Sequence, residues 1–144
     1  MKGGIEMETG KLINKISNRL RRRSKAAQES IGISGAKGNI LSFILAEGEK
    51  RNVYQKDVEK EFGLRPSTAT EALKSLEDEG LICRVPDEKD GRYKKIVFTS
   101  RAEEAETVIR DEIMKTECQL LKGITEEEQR EFIRIASKML KNLE

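Results

Sequence analysis

VYQKDVEKEFGLRPSTATEALKSLEDEG, residues 53–80, predicts two short helices joined by a tight turn. In its first half, over 54–62, Val58 and Phe62 stand four residues apart and so share one helical face. Gly63 then suits a helix C-terminus, because glycine enters the left-handed region without steric cost. Leu64 is the apolar residue of the turn. Pro66 fits the first turn of a new helix, where its missing N–H would be unpaired anyway. Beyond it Ala69, Ala72, Leu73 and Leu76 fall at i, i+3, i+4 and i+7, one apolar stripe. The opposite face carries Ser67, Thr70, Glu71 and Lys74, with Thr68 and Ser75 at its edge. A buried stripe backed by small hydroxyls and one lysine is what a DNA recognition helix needs to enter the major groove, about 12 Å wide. Ser and Thr can donate to phosphates or touch bases there. An ordinary helical hairpin with a solvated outer face has the same pattern, so the flanking sequence has to decide.

Immediately downstream the period changes. LICRV, 81–85, and YKKIVF, 93–98, are β-branched and apolar, and PDEKDGR, 86–92, between them is rich in turn formers. A β-hairpin with a charged tip is expected. Directly after a candidate recognition helix it reads as a wing, which lies beside the adjacent minor groove and can insert an arginine where the narrow groove concentrates negative potential. Arg92 is best placed for this, with Lys89 next. Asp87 and Asp90 are expected to brace the loop through backbone bonds or pairs with nearby arginines. With Arg65, Ser67, Thr68, Thr70, Glu71 and Lys74 of the helix, these two basic residues make up the candidate DNA surface.

Helices are expected on both sides of this lobe. Upstream, residues 9–29 form a long one with Leu12, Ile13, Ile16 and Leu20 as its apolar stripe. Arg19, Arg21, Arg22, Arg23 and Lys25 cluster around its second half. That cluster is either a solvated face complementing the helix dipole, the favoured reading, or a contact for phosphate or an anionic ligand. Ile31 and Ile33 bracket Gly32 as a bend, and Ser34 is an expected N-cap for a helix to about Glu47, with Ile40, Leu41, Ile44 and Leu45 buried. Downstream, Ser100 with Glu103 fits a capping box opening a helix to about Lys122. Thr125 with Glu128 fits a second, opening a last helix with a broad apolar face from Phe132 to Leu143. Long helices at both ends have too little of one small domain to cover, so they are expected to cover each other across a dimer.

Composition narrows the function classes. Charged residues are 38% of the 144, yet the formal net charge is only +2. Residues 1–52 hold 11 Lys/Arg against 5 Asp/Glu, and residues 101–144 hold 8 against 11. Nucleic acid would therefore be bound through local patches and not through bulk charge. The chain has no histidine, which removes His-based acid–base chemistry and the usual zinc sets. Cys83 and Cys118 make no disulfide framework, and there is no Gly-rich phosphate loop or nucleophile–base pair, so neither an enzyme nor a cofactor is expected. No apolar run approaches the ~20 residues of a membrane span, and MKGGIEMETGK is polar and unlike a signal sequence, so a cytoplasmic location is expected.

With helix, helix, helix-turn-helix, wing and two closing helices in hand, the chain resembles the MarR family of winged helix-turn-helix transcription regulators over nearly its whole length. The most specific parts are YQKDVEKEFGLRPSTATEALKSLEDEGLI and the wing DEKDGR followed by KKIVFT, where Asp90 and Arg92 match the second half of the family's aspartate–arginine signature. The chain departs from the pattern at Lys89, often Arg; at Tyr54, often a threonine N-cap; at Glu59, often a small residue; and at Ala102, often glycine. The resemblance implies a mainly α fold with a small β-hairpin, one domain over 1–144 with a winged lobe at 34–100 and dimerisation helices at 1–33 and 101–144. It implies a homodimer that represses or activates at pseudo-palindromic operators in double-stranded DNA, and in many members release by small aromatic anions. Peroxide sensing through a first-helix cysteine and zinc sensing through histidines lack their residues here. For an aromatic anion, a crevice lined by the first two helices and the helix after the wing is expected. Ile16, Leu20 and Ile44 would be its walls, and Arg19 or Arg23 the partner of a carboxylate. The competing reading is that these apolar residues are filled core and the arginines solvated. A winged-helix protein-interaction module without DNA binding is the alternative function, separable by the steep salt dependence that phosphate contacts impose.

Overall fold

The computed structural model describes residues 7–33 and 35–144. The expected N-cap Ser34 lies outside the described residues. Among the described residues six α-helices and one hairpin follow in order: α1 (Glu8–Ser30), α2 (Gly35–Gly48), α3 (Gln55–Phe62), α4 (Pro66–Asp78), β1 (Ile82–Pro86), β2 (Lys94–Phe98), α5 (Glu103–Leu120) and α6 (Glu126–Asn142). They divide into two compact units, 1–113 and 114–144, so that α1 groups with the winged lobe and the division falls inside α5.

The core of the first unit is built by the stripes that the sequence pattern picks out. Ile40, Leu41, Ile44 and Leu45 of α2 meet Val58 of α3, Leu73 and Leu76 of α4, Ile82 and Ile96 of the hairpin and Ile109 of α5. Each large aliphatic side chain so buried contributes about 1.5–3 kcal/mol relative to exposure. Phe43 and Phe62 pack edge to face beside them, with ring centroids 5.8 Å apart. Gly63 takes the left-handed conformation at φ 63°, closing α3, and Pro66 is the first residue of α4. These two residues set the turn, and the Ala69–Leu73–Leu76 stripe then seats α4 against α2 and α3.

The strands pair antiparallel, with Ile82 opposite Phe98 and Arg84 opposite Ile96. The Ile96 N–H also donates to the Val53 carbonyl at 2.8 Å, which ties β2 to the segment leading into α3. One expectation fails here. Ser100 does not cap α5: residues Ser100–Ala102 form a turn of 3-10 helix, and α5 starts only at Glu103. The reason is Thr99, whose hydroxyl donates to the Gly80 carbonyl and whose N–H donates to Leu81, so the chain enters the helix from the end of α4 already fixed.

In the second unit, Thr125 and Glu128 form the expected reciprocal box: the Glu128 N–H donates to the Thr125 hydroxyl at 3.1 Å and the Thr125 N–H to the Glu128 carboxylate at 2.9 Å. None of the residues of α6 is buried, and Phe132 and Leu140 are 64% and 67% exposed. In the first unit the α1 stripe is open as well, with Leu12 56% exposed, Ile13 47% and Ile16 37%. No described helix is long and apolar enough to cross a membrane.

Candidate nucleic-acid interface

The helix-turn-helix is held together by polar groups that local sequence patterns do not announce. Gln55, at the start of α3, has its amide Nε2 within bonding reach of the Pro66 carbonyl (3.2 Å), the Thr70 hydroxyl (2.9 Å) and the Glu59 carboxylate (3.1 Å). Its Oε1 accepts from Arg84 of β1 at 3.0 Å, and the other arm of that guanidinium pairs with Glu77 of α4 at 2.8 Å. Gln55 thus links the first helix, the start of the second and the strand that begins the wing, and Arg84 carries the link on to the second helix's far end.

This network changes the standing of Thr70. It is exposed on the outer face of α4, as its spacing requires. Its hydroxyl hydrogen, however, is taken by the Pro66 carbonyl at 2.8 Å, and Gln55 donates to the same oxygen. Within the chain the Thr70 hydroxyl therefore has its hydrogen engaged and one lone pair left over. Arg65, Ser67, Thr68, Glu71 and Lys74 are exposed, and none of them makes a side-chain bond or ion pair among the described residues. Glu71 and Lys74 do not pair with each other.

The wing is braced by both aspartates. The carboxylate of Asp87 accepts from the Tyr54 hydroxyl at 2.8 Å, from Asn52 at 3.1 Å, and from the backbone N–H groups of Lys89 and Asp90 at 3.2 and 3.3 Å. The Tyr54 hydrogen bond, first among these, holds Asp87 below the ordinary aspartate pKa and raises that of the phenol. Tyr54 also opens α3: its N–H donates to Asp57 at 2.8 Å, and Arg51 bridges Asp57 and Glu47. The residue standing where a threonine cap is common therefore serves the wing instead, and Asp57 does the capping.

At the tip, Asp90 takes Arg92 through two nitrogens, Nε at 3.0 Å and Nη2 at 2.7 Å, and takes the Arg92 N–H at 3.1 Å. This pairing lowers the Asp90 pKa and leaves the Arg92 side chain 85% exposed. Lys89 is exposed, and Lys95 pairs with Glu88 along the strand. Between the wing and the start of α3 lies a groove of about 610 Å³, with Lys56, Arg84, Arg92 and Lys94 among its cations and Tyr54 and Tyr93 edge to face at 6.4 Å. Of these, Gln55, Lys56, Arg84, Tyr93 and Lys94 are not picked out by the sequence reading. A charged residue at position 84, inside an apolar strand, is the one local signal that marks part of the network.

Of the residues expected to hold an aromatic anion, Ile16, Arg19, Leu20 and Arg23 lie together on α1, while Ile44 belongs to the core of α2. Ile44 is 2% exposed and packed in the core, which fits the competing reading of filled core. Ile16 and Arg19 are exposed on α1, and Leu20 is half-buried there. Arg23 is exposed on the same helix and has an interaction of its own. Among the described residues no cluster of His, Cys, Asp or Glu could hold a metal ion.

Comparison with known proteins agrees with this architecture. A model of the MarR family matches residues 31–92, from the end of α1 to Arg92. The transcription regulator MarR from Oenococcus oeni is 27% identical, with 92% of this chain and 98% of that one aligned and a TM-score of 0.78. The transcriptional regulator PA3341 is likewise 27% identical, over 93% and 96% of the two chains, with a TM-score of 0.77. MepR of Staphylococcus aureus, in its complex with DNA, shares the fold at 24% identity over 94% and 96%, with a TM-score of 0.75. Family and fold are those of transcription regulators and not of enzymes. The MarR family's model thus lies on the winged lobe, and from α1 to α6 the chain has the fold of MarR-type transcription regulators.

Proposed function

We propose that this protein is a sequence-specific DNA-binding transcription repressor that acts as a homodimer on a pseudo-palindromic operator. The observation that carries the reading is the outer face of α4, whose exposed Ser67, Thr68, Glu71 and Lys74 have no partner among the described residues while its inner face is locked by Leu73, Leu76 and the Gln55 network. Unpaired small polar groups on a rigid helix suit base edges and phosphates in a major groove. Arg92, at the tip of the braced wing, supplies the matching cation for the minor groove, with Lys89 beside it. The DNA complex of the MepR relative supports the same use of this fold.

Support for the homodimer is the pair of bare apolar faces, one on α1 and one on α6, which a single copy leaves in water. Two-fold symmetry would set two copies of α4 one helical turn of DNA apart, about 34 Å, hence an inverted repeat. Release by a small aromatic anion belongs to the same reading. Ile16, Leu20, Arg19 and Arg23 of α1 are its candidate contacts, and such a ligand lowers operator affinity only by binding the non-operator spacing more tightly. Selection of bound duplexes from a random pool, with sedimentation of the free protein, tests the proposal. An enriched inverted repeat and a dimer at micromolar concentration are expected. A stable monomer, or a pool without enrichment, would overturn it.

A further inference from the structure

The basic cluster on α1 is not used by the reading above, and the structure sorts it into two faces. Arg19 and Arg23 flank the apolar stripe. Arg21, Arg22 and Lys25 turn to the other side, where with Asn18 and Gln28 of α1 and Asn39 of α2 they line a cavity of about 490 Å³. Among the described residues no carboxylate lines it. Arg22 and Lys25 make no ion pair among the described residues, and Arg21 donates to the side-chain oxygens of Asn18 (3.0 Å) and Ser17 (3.3 Å). That bond takes the Asn18 oxygen and leaves its amide nitrogen as a donor.

Gln28 supplies the second observation. It is the one buried polar residue among those described, 5% exposed, and its Nε2 is a buried donor without a partner. It packs against Gly38 of α2: a Cβ there would come within 2.4 Å of its amide, so any larger residue would force the Gln28 side chain to move. A buried unpaired amide costs free energy comparable to a lost hydrogen bond, and native structures rarely leave one without a ligand, water or ion to take it. Three cations, the amides of Asn18 and Asn39, and Gln28 with its orphaned N–H line one cavity, with no carboxylate among the described residues there to balance the charge.

We infer that this cavity between α1 and α2 binds a compact, multiply charged oxyanion of the phosphate class. Such a group presents three or more acceptor oxygens, enough to take a guanidinium fork, an ammonium and amide N–H groups together. An aromatic ring is not required. The site lies across α1 from Ile16 and Leu20, uses no residue of α5, and stands independently of the DNA-binding reading.

The test is calorimetric titration of the full-length protein with inorganic pyrophosphate, in chloride buffer of matched ionic strength. Saturable binding with one site per chain is expected. Arg22→Gln and Lys25→Gln, both at exposed positions, should each weaken it by roughly tenfold or more, the scale of a charged hydrogen bond. Gln28→Met keeps the bulk against Gly38 and removes the donor, so it should weaken pyrophosphate while leaving the ligand-free melting temperature in place. If Gln28→Met does not fold, the two exposed variants carry the test. Non-saturating heats, or unchanged affinity in Arg22→Gln and Lys25→Gln, would overturn the site. A competition arm separates the sources of the phosphate. If duplex DNA displaces pyrophosphate and Arg22→Gln lowers the salt slope of DNA binding by about 0.9, the oxyanion is a backbone phosphate. If duplex leaves pyrophosphate bound, it is a free small molecule. Either result upholds the inferred chemistry.

Discussion

On α4 the outward side chains of Ser67, Thr68, Glu71 and Lys74 are exposed and unpaired among the described residues, whereas in the wing Asp87, Glu88, Asp90, Arg92 and Lys95 are each tied to a neighbour. The helix owes its rigidity to what lies beneath it, Leu73 and Leu76 in the core and the Gln55–Arg84–Glu77 network at its flank. The hairpin has little beneath its tip, so its rigidity comes from within, from Asp87 taking four donors and Asp90 taking Arg92. A reading surface can stay free of internal bonds when a core holds it in place. A projecting loop must be ordered by its own side chains, or lose that freedom on binding at a cost of about 0.5–1.5 kcal/mol per immobilised side chain.

The largest expected effect follows from undermining the helix from below. Leu73→Ala removes a side chain with no exposed surface and should cost about 2–5 kcal/mol of stability, read from denaturant unfolding. Arg92→Ala is the opposite case. The exposed tip contributes little to stability, so the unfolding midpoint should hold while operator affinity falls roughly ten- to hundredfold, the range of one lost base contact. Unchanged affinity in Arg92→Ala would take the wing out of the binding mechanism and leave α4 to act alone.

A smaller effect should separate bracing from contact. Asp87 is held below its ordinary pKa by Tyr54, so its bracing is fully present above about pH 4 and is lost as pH falls through the depressed value. Tyr54 is shifted up by the same bond, so from the alkaline side the brace is lost as pH rises through that raised value, above about 10. Between pH 5 and 8 the wing should not respond to pH. On acidification the amide shifts of Lys89 and Asp90, whose N–H groups Asp87 takes, should lose their largest change in Asp87→Asn, while that of Arg92, whose N–H Asp90 takes, should persist. Unaltered titration of the Lys89 and Asp90 amides in Asp87→Asn would assign their bracing to another group.

How much of this was legible in the sequence depends on the distance over which each interaction acts. Gly63, Pro66 and the Thr125–Glu128 box obey rules that span four residues or fewer, and each stands where the pattern places it. The four-residue rule at Ser100–Glu103 fails because a longer-range bond, from Thr99 to the carbonyl of Gly80, sets the entry into α5 first. Gln55 and Arg84 are 29 positions apart, and Tyr54 and Asp87 are 33 apart. No periodicity joins such pairs, so the residues that position the candidate DNA surface were hidden while those that form it were readable. The same holds for Gln28, whose burial depends on a glycine in the next helix.

The smallest expected effect concerns Thr70, where the two regions meet. Its position on the helix marks it as a reader, and its bonds mark it as part of the support. Thr70→Val keeps the β-branched shape and the methyl group but removes the hydroxyl. Gln55 retains the Pro66 carbonyl and Glu59 as acceptors, so the lost bonds should cost only about 0.5–1.5 kcal/mol of stability. Since the hydroxyl hydrogen already points at Pro66, operator affinity should fall by about threefold or less, a loss well below one base contact. Ser67→Ala and Thr68→Val, which remove unpaired hydroxyls from the same face, should lose more. Titrations of the three variants against the selected operator, and against the same duplex with each half-site base pair changed in turn, make the comparison. If Thr70→Val alone loses tenfold and loses it against one base pair, Thr70 reads that base through its free lone pair, and the Gln55 network is there to aim it.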